Sequence, residues 1–104
     1  MSPELHISLS NLQSNIQFFQ RMIKKNTELS AVVKSDAYGL GIAKIVPEIE
    51  RYGVRSFFTA TISEAIKVRR YSRDSEIFTL NGFDFLKSNL YREHNITPII
   101  NNIL

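Results

Sequence analysis

Lys34, Tyr38, Gly39 and Gly41 fall within one short run, A-V-V-K-S-D-A-Y-G-L-G at residues 31–41. Lysine is among the residues least often fully buried, yet this one directly follows three apolar residues. An ammonium group there has two readings. In the first, the side chain snorkels, with its methylenes on apolar surface and its charge in water. In the second, partial desolvation lowers its pKa and favours the neutral amine, the form that makes imines with carbonyl compounds. Tyr38 supplies a phenol that can donate to an anion, and the glycines allow tight turns and close approach of a ligand to backbone. The set suits a Schiff base beside a phosphate-binding loop.

The elements that must position this run alternate between short apolar stretches and helical periodicity. Leu5 to Leu9 alternates apolar and polar residues, as a half-buried strand does. Ser10 opens S-N-L-Q, a capping-box signature, and Leu12, Ile16, Phe19 and Ile23 form one stripe of a helix ending near Asn26. Leu29 to Val33 is a strand. Ile42, Ile45, Val46 and Ile49 mark a second helix stopped by Gly53, with Pro47 inside it predicting a kink or a later start. Ser56 to Ala60 is a strand, and Thr61 to Glu64 (T-I-S-E) a second capping box, opening a helix to about Tyr71. Glu76 to Leu80 is a strand closed by the Asn81-Gly82 turn, Phe83, Leu86 and Leu90 predict a helix, and Thr97 to Ile100 a last strand.

Strands near residues 29, 56, 76 and 97 leave room for a crossover helix each time, so the strands should be parallel. Open doubly wound sheets and β/α barrels share this signature, and periodicity does not separate them. In both, ligand chemistry gathers at the carboxyl ends of strands, which is where Lys34 falls.

Composition narrows the function classes. At 104 residues the chain is one domain at most, with no linker or low-complexity segment dividing it. The net charge of +3 is mild, and the Lys24-Lys25 and Arg69-Arg70 pairs suit solvated helix faces rather than a nucleic-acid footprint. There is no cysteine, which excludes disulfides and cysteine-ligated metals. The N-terminal residues lack a secretory pattern, and no run approaches the roughly 18 apolar residues of a membrane span. A cytoplasmic protein is expected, without membrane or nucleic-acid partners. His6 and His94 lack a ligand-spaced partner and are expected at the surface, so no metal site is assigned. Asp36 suits capping of the loop, Phe57-Phe58 suits the core, and the Asn95-Ile96-Thr97 acceptor pattern carries no function without a secretory signal.

The run V-V-K-S-D-A-Y-G-L-G resembles the pyridoxal-phosphate attachment motif of bacterial alanine racemases, V-V-K-A-[DN]-A-Y-G-H-G. Further segments extend the resemblance from about Leu5 to the last residue. Ile7-Ser8-Leu9 with Asn15-Ile16 is similar to the family's opening, Gly53 to its A-G-[AV] helix end, Ser63-Glu64-Ala65 with Arg69 to its "EA…LR" helix, and Ile96 to Ile100 to its "-T-P-V-V-" strand. Leu40 departs from the motif's histidine and Ser35 from its alanine.

The resemblance implies an α/β fold, a partial TIM-type (β/α) barrel comprising about the first four strand-helix units of the family's N-terminal domain, with residues 1–104 forming that portion. It implies a pyridoxal 5′-phosphate-dependent isomerase interconverting L-alanine and D-alanine, which supplies D-alanine to the peptidoglycan of the bacterial cell wall. Lys34 becomes the Schiff-base lysine and one of two catalytic bases, Tyr38 the phosphate contact, and Leu80 an apolar residue lining the cofactor pocket. A strand-end core leucine explains Leu80 equally well. The family's second base is a tyrosine from the C-terminal domain of a partner subunit in a homodimer. That tyrosine and the arginine facing the pyridine nitrogen are not among these 104 residues. A full barrel takes about 250 residues, so the chain is expected to be a truncated product or fragment, inactive alone. Its open sheet edges are expected to drive self-association. The alternatives are a non-catalytic pyridoxal-phosphate-binding or interaction fragment, and a fragment of a broad-specificity amino-acid racemase.

Overall fold

The computed structural model describes residues 9–22, 29–33, 37 and 41–100. Among the described residues the helices and strands are, in order, α1 (Leu9–Met22), β1 (Ser30–Val32), α2 (Ile42–Arg51), β2 (Ser56–Thr59), α3 (Ile62–Tyr71), β3 (Glu76–Thr79), α4 (Ser88–Glu93) and β4 (Ile96–Pro98). A single 3-10 turn, Phe85–Lys87, precedes α4. The expected strand at Leu5 to Leu9 lies, up to Ser8, outside the described residues, and Leu9 opens α1.

The four strands form one parallel sheet in the order β1-β2-β3-β4. The register aligns Ala31, Phe57, Ile77 and Ile96 in one row across the sheet. Side chains alternate between faces along a strand, and the two faces differ. On one, Phe57, Ile77 and Ile96 are buried in a core shared with Ile62, Ala65 and Val68 of α3 and Tyr91 of α4. On the other, Val32 is exposed and Phe58 and Phe78 are half-buried. The expectation for Phe57-Phe58 therefore divides: Phe57 is core, and Phe58 belongs to the second face.

Local sequence explains most boundaries. Thr61 caps α3 through a complete capping box: the Glu64 amide donates to Thr61 Oγ1 (3.3 Å), and the Thr61 amide donates to Glu64 Oε1 (3.2 Å). In α2 the predicted stripe Ile42, Ile45, Val46 and Ile49 is the buried face. The helix starts at Ile42 and continues through Pro47. Pro47 and Ala43, whose carbonyl loses its amide partner to the proline ring, are both exposed, where water can serve that carbonyl. Gly53 ends the helix at φ +92°, a left-handed position that glycine takes without a steric penalty.

The expected Phe83–Leu90 helix is shorter and turned differently. Asp84 accepts from the Leu86 amide and starts the 3-10 turn, leaving Leu86 96% exposed. Tyr91 takes the buried place and stacks on Phe83 with centroids 4.6 Å apart. The predicted spacing through Leu86 fails because the aromatic pair outweighs one leucine in apolar area.

Arg69 also departs from the solvated helix face expected for it. Its guanidinium donates to the carbonyls of Ser72, Arg73, Ser75, His94 and Asn95. It thereby ties the end of α3 to the loops that enter β3 and β4. Burial lowers its pKa, and Asp74 partly offsets this. Nearby, the buried Ser72 hydroxyl donates to Glu50 Oε2 at 2.8 Å, linking α2 to the same loop. Among the described residues no helix is long and apolar enough to cross a membrane.

Candidate functional site at the carboxyl ends of the strands

All four strands point the same way, so their carboxyl ends form one rim. Backbone pairing continues past the strand ends there. The Val33 amide donates to Phe58 O (2.8 Å), Leu80 to Thr59 O (2.8 Å), Asn81 to Ala60 O (3.1 Å) and Ile99 to Thr79 O (2.9 Å). Val33, 2% exposed, anchors the end of β1 in the core.

Two buried threonines at paired register positions shape the loops of this rim. Thr59 Oγ1 donates to Thr61 O (3.0 Å), and Thr79 Oγ1 reaches Gly82 O (3.4 Å). Each hydroxyl lies on the helix-bearing face and satisfies a carbonyl of the loop that follows. The buried polar groups are thus partnered, as such groups must be. Tyr91 adds a third tie, its hydroxyl accepting from the Asp84 amide at 2.9 Å. A cleft of about 200 Å³ opens between the β2 and β3 loops, lined by Thr61, Asn81, Gly82, Asp84 and Tyr91 among others. A larger open groove of about 710 Å³ runs along α4 and includes no residue of the strand ends.

Of the three predicted site residues, Leu80 is the described one, and it lies just past the end of β3 at this rim. It is half-buried and two residues beyond Phe78, so alternation assigns it to the face bearing the Phe58–Phe78 stack. Lys34 and Tyr38 lie outside the described residues, as do Asp36, Gly39 and Leu40. The described residues around them are Val33, Ala37 and Gly41. Ala37 is 3% exposed with φ +57°, and Gly41 has φ +90° at the start of α2. The left-handed region costs an L-residue roughly 1–2 kcal/mol, so the core contacts of Ala37 must hold it there. Sequence reasoning missed the paired threonines and the backbone of Ala37. The threonines had a signal, because each falls at the end of a predicted strand and just before its loop.

A parallel sheet flanked by helices on one face, with shaped loops at its carboxyl rim, defines a segment of a β/α-barrel enzyme domain. Residues 7–103 match the family described as alanine racemase, N-terminal domain, and the chain belongs to that family. An alanine racemase of Methylobacterium nodulans is 41% identical over 73 residues, 70% of this chain and 20% of its own length. One from Cereibacter sphaeroides is 35% identical over 100 residues, 95% of this chain and 29% of its own. An amino-acid racemase of Enterococcus faecalis is 34% identical over 94 residues, 90% of this chain and 13% of its own. Among solved structures, the alanine racemase of Bartonella henselae with covalently bound pyridoxal phosphate superposes with a TM-score of 0.80. It is 34% identical, over 88% of this chain and 26% of that one. The chain thus spans under a third of the length of these relatives.

Proposed function

We propose that the chain contributes the cofactor-bearing part of a pyridoxal 5′-phosphate-dependent amino-acid racemase acting on alanine. Lys34, Tyr38 and Leu80 are its site residues. The observation that carries this reading is the arrangement of the rim. Phe58, Phe78 and Leu80 share the sheet face turned away from α3 and α4, and Leu80 lies at the carboxyl rim. Lys34 directly follows in sequence Val33, whose amide pairs with β2 at that rim. An apolar floor of two stacked rings and a leucine suits a planar pyridine ring, and a lysine and a phenol suit an aldehyde and a phosphate. The residues fit the group.

Pyridoxal phosphate, when bound, supplies an electron sink that makes the Cα proton of an amino acid removable. The chain's own contribution is binding and proton handling. Lys34 Nζ would hold the aldehyde end and serve as a base at Cα. The Tyr38 hydroxyl would donate to the phosphate. Leu80 and the aromatic pair would keep water from the group. The opposite face requires a second base from outside these residues, in keeping with a homodimer whose partner completes the site. A cytoplasmic enzyme supplying D-alanine for peptidoglycan is the corresponding cellular role. A second reading is a pyridoxal-phosphate-binding or interaction segment without catalysis, which the same lysine would serve by capture alone.

Incubation with pyridoxal phosphate, borohydride reduction and peptide mapping test the reading. A label at Lys34 is expected, and a label elsewhere or none removes it. An assay for D-alanine formation then separates enzyme from binder. Self-association through the edges of β1 and β4 is also proposed, with static light scattering expected to give a mass above the 12.0 kDa of one chain. A stable monomer that melts cooperatively argues against it.

A further inference from the structure

We propose that the cleft between the β2 and β3 loops is a binding site for a small molecule without net charge, one that gives an acceptor oxygen to Tyr91 and a donor to Asp84. The site uses neither Lys34 nor Tyr38, so it stands or falls apart from the reading of those residues. Tyr91 is 6% exposed, and its hydroxyl oxygen accepts from the Asp84 amide at 2.9 Å. Among the described residues, the proton of that hydroxyl meets no acceptor. A phenol both donates and accepts, and buried polar groups are normally paired. Tyr91 borders the groove along α4 as well as the cleft, whereas Asp84 lines only the cleft. The hydroxyl, beside Asp84, is therefore at the cleft end of the ring.

The walls of the cleft are held in place. The Leu80 and Asn81 amides donate to Thr59 O and Ala60 O, and Thr79 Oγ1 reaches Gly82 O. Lys87 Nζ donates to Ser63 Oγ at 3.2 Å, tying the loop after β3 to the first turn of α3. Walls fixed in this way give up little freedom when a ligand arrives. The volume of about 200 Å³ exceeds the ~10–15 Å³ that one water requires and falls short of the ~300 Å³ at which drug-sized pockets begin. A molecule of several heavy atoms fits.

The lining selects among such molecules. The amides that open α3 are already engaged: those of Ala60 and Thr61 donate to Glu64 Oε1 at 2.9 and 3.2 Å. An anion would compete with Glu64 for them, and the carboxylates of Glu64 and Asp84 would repel it. A simple cation would suit Asp84 but has no acceptor for the Tyr91 proton. Asp84 Oδ1 accepts from the Leu86 amide at 3.1 Å, and a carboxylate has room for further donors. Asn81, exposed at the cleft, adds an amide that both donates and accepts. An acceptor oxygen and a donor in one molecule match this set. A carboxamide has both without charge, and a zwitterionic amino acid has both with charges that cancel.

Amide shifts of the isotope-labelled full chain test this, with acetamide, L-alanine, acetate and methylammonium as separate probes. Acetamide, L-alanine or both should move the Asn81, Gly82 and Asp84 amides in a saturable way, and the one that does so names the source of the chemistry. Acetate and methylammonium, each with half of the complement, should need at least about ten-fold more. Tyr91→Phe, which keeps the ring that stacks on Phe83, should raise half-saturation at least about five-fold. It also removes the acceptor of the Asp84 amide, so Asp84→Asn is the second variant, with a capping oxygen kept for Leu86. Acetate should bind this variant about ten-fold more tightly than the unmodified chain, because the repelling charge is gone. A purely structural role of Asp84 would leave that preference where it was. Should Tyr91→Phe fail to melt cooperatively, Asp84→Asn decides. Water alone in the cleft, seen as no saturable shift with acetamide or L-alanine, overturns the proposal. So does acetate or methylammonium binding as well as either, an unchanged half-saturation in a folded Tyr91→Phe, or an unchanged preference in Asp84→Asn.

Discussion

Phe58 and Phe78, paired in register on neighbouring strands, stack with ring centroids 4.8 Å apart and planes inclined by 18°. They do so on the sheet face opposite the core that α3 and α4 cover. One residue earlier on each strand, Phe57 and Ile77 are essentially inaccessible. Two consecutive phenylalanines of β2 therefore occupy different environments, one in a finished core and one on a face that retains solvent.

That contrast predicts unequal truncation costs. Phe57→Ala should destabilise by about 3–5 kcal/mol, as for a buried aromatic. Phe58→Ala should cost about 1–2 kcal/mol, mostly the stacking contribution and partial burial. Urea titrations of both variants check this. Equal costs would mean that another surface covers the Phe58 face in solution.

Arg69 should be unusually intolerant for a helical arginine with partial exposure. Arg69→Lys keeps the charge but loses the planar fork that serves five carbonyls. A loss of about 2–3 kcal/mol is expected, since hydrogen bonds from a charged donor are the stronger ones. Arg70→Lys, one residue on and exposed, should be silent within about 0.5 kcal/mol. Denaturant midpoints of the pair provide the comparison.

The capping box of α3 should behave as a coupled unit. Thr61→Ala is expected to cost about 1 kcal/mol and Thr61→Ser little. With Glu64→Ala as the second arm, a double-mutant cycle should show coupling, because each side chain serves the other's backbone amide. Additive losses would show two independent hydrogen bonds.

On the proposed function, Tyr38→Phe should weaken pyridoxal phosphate capture about ten-fold, or roughly 1.4 kcal/mol, the loss of one hydrogen bond to an anion. Leu80→Ala should weaken it about three-fold through lost apolar contact. Trapping with borohydride at graded probe concentrations measures both. An unaffected Tyr38→Phe variant would remove the phenol from the phosphate contact.

Much of the architecture was readable from sequence, and particular residues show why. The α2 stripe Ile42, Ile45, Val46 and Ile49 and the T-I-S-E box depend on neighbours three or four residues away. Such local patterns survive without knowledge of the fold. The strand spacing fixed the parallel connection, because a return in the same direction needs a crossover. The motif at residues 31–41 named the chemistry through its resemblance, although Lys34 and Tyr38 lie outside the described residues.

Tertiary structure decided the rest. Arg69 reads from sequence as half of a surface charge pair, since its partners His94 and Asn95 lie 25 and 26 residues away. Leu86 read as part of an apolar stripe until Phe83 and Tyr91 took the packing. Phe57 and Phe58 share a composition and a strand, and only the placement of helices on one face separates a core ring from a half-exposed one. Local hydrogen bonds and periodicity are properties of contiguous residues. Burial, long-range carbonyl contacts and the left-handed backbone of Ala37 depend on what the folded chain brings against them.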